Sequence, residues 1–382
     1  MRLRTFLALA LCALLQAAPP VVFISADGLG ADQFTAQSMP KLWALAQAGR
    51  RGEGLPPFPA TTFNGHVTLA TGCWPGHHGV VANSYREPAT GAMVPVAHNA
   101  ENIQREPLWV AATRSGVRTA VYHWVGATGP WEGVTPWRLV PFAGLRPDAE
   151  ALAFTESALQ DGAGLVMTYL EGTDEPGHMN GPRSPEVRAK LARMDAELAP
   201  WLQRLQATHP GLRVILTADH GMQAMTRRIH LPTILDRIPC ELVTHGGSAY
   251  VYLRDPADAK KALQRLRKAG VQAWTRNAAP ASLRLTGNPR VGDLVLIAPR
   301  PEQWFSKARS SQEEAYEYAG RIGGHAAPPG TPAMRTWLVV LGAGQGNLGR
   351  VPLWDLAPTV AAWLGVAWII PPDGRPIPVV SD

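Results

Sequence analysis

Three carboxylates and three imidazoles, spread over most of the 382-residue chain, are of the types that bind metal ions. They are Asp27, Asp174, His178, Asp219, His220 and His325. Carboxylate oxygens and imidazole nitrogens are common Zn²⁺ ligands, and a catalytic zinc keeps one coordination position open for substrate. Two such ions can activate a nucleophile and neutralise the charge of a phosphate group. The set therefore predicts phosphoryl-transfer chemistry at a two-metal site.

A hydroxyl group at the start of a predicted helix is the candidate nucleophile. Thr62 follows Pro59 and precedes the apolar residues Val67, Leu69 and Ala70. The N-terminus of a helix offers free N–H groups and the positive end of the dipole, which favour an anion. A threonine hydroxyl bound to a metal ion loses its proton near neutral pH. Taken alone, Thr62 could also be a helix cap; with the six ligands, it is predicted to be the nucleophile and a seventh metal-site residue.

Apolar runs that predict buried strands precede these residues. Such runs end just before Asp27, Asp174 and Asp219, at residues 21–25, 165–170 and 214–216, and another covers residues 337–341. A capped helix is predicted from Ser184 to Ala207. Strands that alternate with helices predict an α/β fold with a mostly parallel central sheet and helices on both faces. Ligands bind such sheets at the carboxyl ends of the strands, where the candidates lie.

One segment interrupts this alternation. Residues 248–253, 271–274 and 293–298 predict strands, and residues 256–269 predict a basic amphipathic helix. We therefore expect residues 229–311 to form a small α+β insertion or cap. The main catalytic domain then comprises residues 19–228 and 312–382.

Several ordered motifs resemble the nucleotide pyrophosphatase/phosphodiesterase family of the alkaline phosphatase superfamily. They are residues 21–28 (VVFISADG), 61–66 (TTFNGH) with 71–79, 83–85 (NSY), 106–109 (EPLW) with 124–126, 173–178 (TDEPGH) and 218–222 (ADHGM). The motifs span nearly all of the mature chain in the family's order. The resemblance implies an alkaline phosphatase-like fold.

The resemblance also implies how the metal ligands are divided. One Zn²⁺ would bind Asp174, His178 and His325, and the other would bind a set comprising Asp27, Asp219, His220 and the nucleophile Thr62. Another divalent metal is an alternative to zinc. The implied activity is hydrolysis of phosphodiesters or nucleotide pyrophosphates through a phospho-threonine intermediate. A phosphomonoesterase, a phosphonate hydrolase and a non-catalytic anion-binding protein remain open alternatives.

Three residues near the nucleophile are candidate substrate contacts. Family members often place Pro and then Asn after the Thr-Phe pair, whereas this chain has Asn64-Gly65. Asn64 could contact the phosphoryl group from one position earlier, or it could be an ordinary turn residue. Phe63 and Tyr85 are predicted to stack on a ring of the substrate.

The N-terminus and the overall charge limit where the protein works and what it binds. Residues 1–18 combine Arg2 and Arg4, a short apolar stretch and small residues, which predicts a secretory signal peptide and a periplasmic or secreted protein. The net charge of +6 comes without a Lys/Arg block, so we expect no stable nucleic-acid complex. We expect a small-molecule phosphodiester or nucleotide substrate and no membrane span. Pairing of Cys73 with Cys240 and the oligomeric state stay open.

Overall fold

The computed structural model describes residues 18–95, 98–285, 287–309, 313 and 322–378. The predicted signal peptide, apart from Ala18, lies outside these residues. The strands are β1 (Val21–Ala26), β2 (Arg50–Leu55), β3 (Tyr85–Arg86), β4 (Met93–Val94), β5 (Thr119–Tyr122), β6 (Arg138–Val140), β7 (Leu165–Leu170), β8 (Arg213–Thr217), β9 (Gln223–Ala224), β10 (Arg227–His230), β11 (Cys240–Thr244), β12 (Ser248–Leu253), β13 (Gln272–Thr275), β14 (Leu294–Ile297), β15 (Gln303–Ser306), β16 (Gly323–Gly324), β17 (Thr336–Leu341) and β18 (Gly346–Pro352). The helices are α1 (Pro40–Gln47), α2 (Thr62–Thr71), α3 (Pro75–His78), α4 (Leu108–Arg114), α5 (Asp148–Gln160), α6 (Asp174–Asn180), α7 (Pro185–Thr208), α8 (Leu231–Ile234), α9 (Ala259–Lys268) and α10 (Leu356–Leu364).

A mostly parallel sheet forms the centre of the molecule. Within the described residues it has eight strands in the order β18-β2-β17-β8-β1-β7-β5-β6. Strand β1 pairs in parallel with both β7 and β8, whereas β17 runs antiparallel to β8 and β2. The predicted α/β fold with a mostly parallel sheet is therefore confirmed.

Helices cover both faces of this sheet, as the continuous apolar strands predict. Alternate residues of a strand point to opposite faces. Val21 and Phe23 of β1 belong to a core shared with α2, α4 and α10, and Val22 and Ile24 belong to a second core shared with α1, α5 and α7. Strand β1 is thus buried on both sides, and only its carboxyl end is free to present a polar side chain to a site.

A second, antiparallel sheet lies within the segment predicted as an insertion. Its strands follow the order β11-β12-β14-β13, and α9 packs on it. We call these elements, with the loop that precedes β14, the small sheet. The sequence predicted β12, α9, β13 and β14 but not β11, because Cys240–Thr244 is a short run interrupted by Glu241.

Two further findings concern the cysteines and membrane spans. Cys73 and Cys240 are both free thiols. No helix in the described part of the chain is long and apolar enough to cross a membrane.

Candidate metal centre

The carboxyl ends of two central strands and the start of one helix bring the predicted acids together. Asp27 follows β1 and Asp219 lies just beyond β8, while Asp174 is the first residue of α6. Because β1 and β8 are parallel neighbours, their ends meet at one edge of the sheet. His178 lies one helical turn after Asp174, and its Nε2 atom is 3.4 Å from Asp174 Oδ1.

The six predicted ligands form two groups of three. In the first group, formed by Asp174, His178 and His325, the donor atoms all lie within 4.8 Å of one another, and the same holds for the second, formed by Asp27, Asp219 and His220. The rings of His220 and His325 stack at a centroid distance of 4.0 Å, so the two triads are adjacent. The structure therefore assembles the two ligand sets that the resemblance implies.

Backbone carbonyls orient the three histidines. Nδ1 of His178 donates to Gly323 O at 2.8 Å, that of His220 to Gly221 O at 3.0 Å, and that of His325 to Ala60 O at 3.1 Å. A carbonyl can only accept, so each proton is on Nδ1 and each Nε2 retains a lone pair. This arrangement is typical of histidines that ligate metals.

Two of these rings are also held neutral. Burial lowers the pKa of His220 to about 3. Burial, and then the charges of the neighbouring His220 and His178, hold the pKa of His325 well below its ordinary value. A neutral imidazole is the form that binds a metal ion.

The carboxylates present oxygen atoms that have no partner. Asp27 Oδ1, Asp174 Oδ1 and Asp219 Oδ2 are buried without a hydrogen bond among the described residues. Burial, and then the negative charge of Asp219, raises the pKa of Asp27, and burial raises the pKa of Asp219 to about 8. A buried anion is costly unless a cation or a donor compensates for it. The oxygens therefore fit divalent cations as their missing partners.

The predicted nucleophile lies at the second triad. Thr62 is the first residue of α2, with Thr61 as the N-cap, and 9% of its surface is exposed. Its Oγ1 atom is 3.3 Å from His220 Nε2, the atom left free for a cation. The hydroxyl is thus placed where a cation held by this triad would contact it.

The unusual Asn64-Gly65 pair has a packing explanation. A Cβ atom on Gly65 would lie 2.8 Å from Asp219 Cβ, so only glycine lets α2 approach this acid so closely. Asn64 is fully buried; its amide donates to Pro59 O at 2.6 Å and its oxygen accepts from the Thr61 hydroxyl. The side chain is thus used within its own segment, which favours the alternative of a turn residue over that of a phosphoryl contact.

The two aromatic candidates differ in accessibility. Phe63 is half-buried and packs edge-on against Phe142 at a centroid distance of 5.6 Å. Tyr85 is fully buried; the Arg290 guanidinium lies 4.8 Å from its ring centroid, and its hydroxyl donates to Asn102. Tyr85 therefore has no free face for a substrate ring, which corrects its predicted role, while Phe63 remains a candidate.

Two residues at the site were not singled out from the sequence. Tyr169 donates its hydroxyl to Asp27 Oδ2 at 2.7 Å, and Asn83 Oδ1 accepts from the Phe63 N–H at 2.9 Å. With its oxygen engaged, the Asn83 amide still has two N–H donors beside the nucleophile. Asn83 is the first residue of the NSY motif at residues 83–85, and this motif could have identified it. Nothing in the apolar strand that contains Tyr169 marks it as a partner of Asp27.

Comparisons with known proteins agree with this geometry. Residues 21–325 match the model of the family described as type I phosphodiesterase/nucleotide pyrophosphatase. An uncharacterized pyrophosphatase/phosphodiesterase of Schizosaccharomyces pombe is 31% identical over 215 residues, which cover 53% of this chain and 44% of the relative. Human ectonucleotide pyrophosphatase/phosphodiesterase family member 1 is 28% identical over 255 residues, which cover 63% and 28%. The chain thus spans less than half the length of both relatives.

Solved structures share the fold. Murine ectonucleotide pyrophosphatase/phosphodiesterase 5 superposes with a TM-score of 0.83 at 20% identity, covering 93% of this chain and 97% of that one. An inactive variant of the same murine protein, in which a threonine is replaced by alanine, has been solved in complex with AMP; it superposes with a TM-score of 0.82 over 94% of this chain and 97% of that one. The family match extends from β1 to His325 and includes both triads. The chain therefore belongs to the type I phosphodiesterase/nucleotide pyrophosphatase family.

Proposed function

We propose that this protein is an exported, two-zinc hydrolase of phosphodiester or nucleotide pyrophosphate bonds, with Thr62 as its nucleophile. The observation that carries the proposal is the position of the Thr62 hydroxyl, 3.3 Å from His220 Nε2 and beside two adjacent triads of metal-type donors. The donor set, three carboxylates and three imidazoles besides the hydroxyl, suits zinc. Family membership supports the same reaction class.

The residues of the site would place the nucleophile and hold the cations that offset the charge of the substrate. Bound at the two triads, divalent cations would lower the pKa of the Thr62 hydroxyl and offset the charge on the phosphoryl and leaving oxygens. The Thr62 hydroxyl gives up its proton, and its Oγ1 attacks phosphorus. The bond to the leaving oxygen breaks, the leaving group takes up a proton as it departs, and the substituted phosphoryl group is held on Thr62. Water then attacks the phospho-threonine, which releases phosphate monoester product and restores the hydroxyl. The side-chain N–H groups of Asn83 are suited to contact an equatorial phosphoryl oxygen during both steps.

A nucleotide is the substrate class best supported. Phe63 follows the nucleophile directly, and its half-buried ring meets Phe142 at an angle of 81°. Such a pair offers aromatic surface beside the reacting hydroxyl, and every nucleobase has a face that can stack on it. The AMP complex of the murine relative supports the same class.

Export is the second part of the proposal. The basic, apolar and small-residue pattern of residues 1–18 and the ectonucleotide names of the relatives support it. The test is N-terminal sequencing of protein recovered from the periplasm or medium of a Gram-negative host. A chain that remains in the cytoplasm with residues 1–18 intact would contradict export.

The activity is tested with the purified chain and Zn²⁺. We expect turnover of bis(p-nitrophenyl) phosphate and of a p-nitrophenyl ester of a nucleotide, loss of turnover in a chelator, and recovery with about two zinc ions per chain. A clear preference for p-nitrophenyl phosphate would replace the proposal with a phosphomonoesterase. A preference for an aryl phosphonate would indicate a phosphonate hydrolase, and zinc binding without any turnover would indicate an anion-binding protein.

A further inference from the structure

One arginine of the small sheet is buried against residues that follow the nucleophile helix α2. Arg290 precedes β14, and 7% of its surface is exposed. Its Nη1 atom donates to Gly79 O at 3.1 Å and to Asn102 O at 2.6 Å, and its Nε and Nη2 atoms lie 2.9 and 2.8 Å from Glu87 Oε2. A guanidinium group holds several acceptors in one fixed geometry. Arg290 therefore fixes the relative positions of three separate points near the nucleophile helix.

Two more side chains of the small sheet bind the same stretch of backbone. The hydroxyl of Tyr250, in β12, donates to Val81 O at 3.1 Å, and Asn288 Nδ2 donates to Gly76 O at 3.0 Å. Both residues are at least 95% buried. Buried carbonyls outside regular structure need such partners, because an unpaired one is costly. Three side chains of the small sheet thus satisfy the carbonyls of Gly76, Gly79 and Val81, between α2 and Asn83.

The same stretch of backbone leads directly to Asn83, and we call residues 76–87 the Asn83 segment. Beyond Val81 it passes through Asn83, whose oxygen accepts from the Phe63 N–H, and reaches Tyr85, whose ring lies beneath the Arg290 guanidinium. The small sheet therefore holds the segment on both sides of the residue that touches the nucleophile helix.

We propose that Arg290 is a positioning residue, which acts with Tyr250 and Asn288 to hold the Asn83 amide against the phosphoryl group that Thr62 receives. The small sheet then serves catalysis by fixing a substrate-binding loop. The inference rests on the proposed function. A displacement of about 1 Å at a positioned group can cost about 100-fold in rate. Lysine cannot replace Arg290, because one ammonium group cannot reproduce the planar fork.

A double-mutant cycle with Asn83 separates positioning from general structure. Arg290→Lys and Tyr250→Phe are each made alone and together with Asn83→Ala, and kcat and KM are measured with a nucleotide diester and Zn²⁺. Tyr250→Phe removes one hydroxyl and keeps the ring, so it stays informative if Arg290→Lys does not fold. Tyr122→Phe is the matched control, since it removes the hydroxyl of another buried tyrosine, which donates to Glu150 at 3.1 Å.

The expected result is an effect that depends on Asn83. Asn83→Ala should lower kcat by about 100-fold, as for other lost donors to a developing charge. Arg290→Lys should lower kcat by about 10- to 100-fold, and Tyr250→Phe by less, with little change in KM. In the Asn83→Ala background both effects should disappear, whereas independent sites would give effects that multiply. Effects that multiply fully in the cycle would overturn the positioning role.

Amide hydrogen exchange supplies a readout that does not need turnover. In Arg290→Lys and Tyr250→Phe, peptides that cover residues 76–87 should exchange faster, while those of the central strand β1 should not change. Unchanged hydrogen exchange in the Asn83 segment would overturn the proposed positioning role of Arg290. No diester turnover by the wild-type chain would overturn both the proposed function and this role, whereas turnover with a multiplicative cycle would overturn this role alone.

Discussion

Thr62 Oγ1 lies 3.3 Å from His220 Nε2, although 158 positions separate the two residues in the sequence. The other ring nitrogen of His220 is bound to Gly221 O, so Nε2 is the atom available to a cation. A cation shared by His220, Asp27 and Asp219 would therefore also meet the hydroxyl. This single contact joins the start of α2 to the segment that follows β8.

Replacement of Thr62 by alanine should remove catalysis but not metal binding. The two triads retain all six of their side chains, so we expect near-normal zinc content by mass spectrometry. Loss of a nucleophile lowers kcat on the order of 10⁴- to 10⁶-fold. Thr71→Ala, at the other end of α2, removes a hydroxyl that donates to Val67 O and accepts from Cys73 N, and it should remain active. Substantial turnover by the Thr62 variant would exclude a phospho-threonine route.

The metal-free protein should lose stability as pH rises, because of Asp219. Burial, and then the negative charge of Asp174, raises the pKa of Asp219 from 3.8 to about 8 in the folded protein. The folded chain therefore keeps this proton over a pH range in which the unfolded chain releases it. The contribution of Asp219 to the free energy of unfolding then falls from about pH 4 to about pH 8.

The Asp219→Asn variant isolates this effect from the other titrating groups. Urea unfolding in a chelator should show that the wild-type chain becomes less stable relative to Asp219→Asn as pH rises through this range. Added Zn²⁺ should reverse the trend for the wild-type chain, because the cation replaces the proton. A difference between the two proteins that is independent of pH would contradict the prediction.

The structure brings together the six residues that the sequence singled out as candidate metal ligands, in part because strand ends fix the positions of two of them. Asp27 and Asp219 follow buried apolar runs, so parallel pairing of β1 with β8 is enough to bring them together. The surroundings of Tyr85 and Asn64 could not be predicted in this way, because the motifs that contain them do not indicate which neighbours cover their side chains. Tyr85 is covered by Arg290, from a loop much later in the chain, and no local pattern signals that contact.

Tyr169→Phe should weaken metal binding without changing the fold. The Tyr169 hydroxyl donates to Asp27 Oδ2 at 2.7 Å, and loss of such a partner typically lowers metal affinity about 10- to 100-fold. A competition titration of Zn²⁺ against a chelating dye measures the change. Tyr122→Phe, whose hydroxyl bonds Glu150 instead, should bind zinc as the wild-type chain does. Equal zinc affinities for all three proteins would show that Tyr169 does not support Asp27.

Gly65→Ala should reduce activity although alanine is the better helix former. The change gains about 1 kcal/mol in helix propensity. The new Cβ would lie 2.8 Å from Asp219 Cβ and 3.1 Å from Asp219 O, and relief of such overpacking typically costs about 1–3 kcal/mol. Since α2 carries Thr62, a shift away from Asp219 also moves the hydroxyl from His220.

Gly177→Ala is the matched control for this helix glycine. Gly177 lies in α6 between Asp174 and His178, and its nearest neighbour would be Met222 Cγ at 3.2 Å, on a flexible side chain that can move aside. We expect Gly65→Ala to lower kcat by about 100-fold and Gly177→Ala to keep most of the activity. Steady-state kinetics with a diester, together with zinc content, check both variants. If Gly65→Ala were as active as Gly177→Ala, close packing of α2 on Asp219 would not be what holds Thr62 in place.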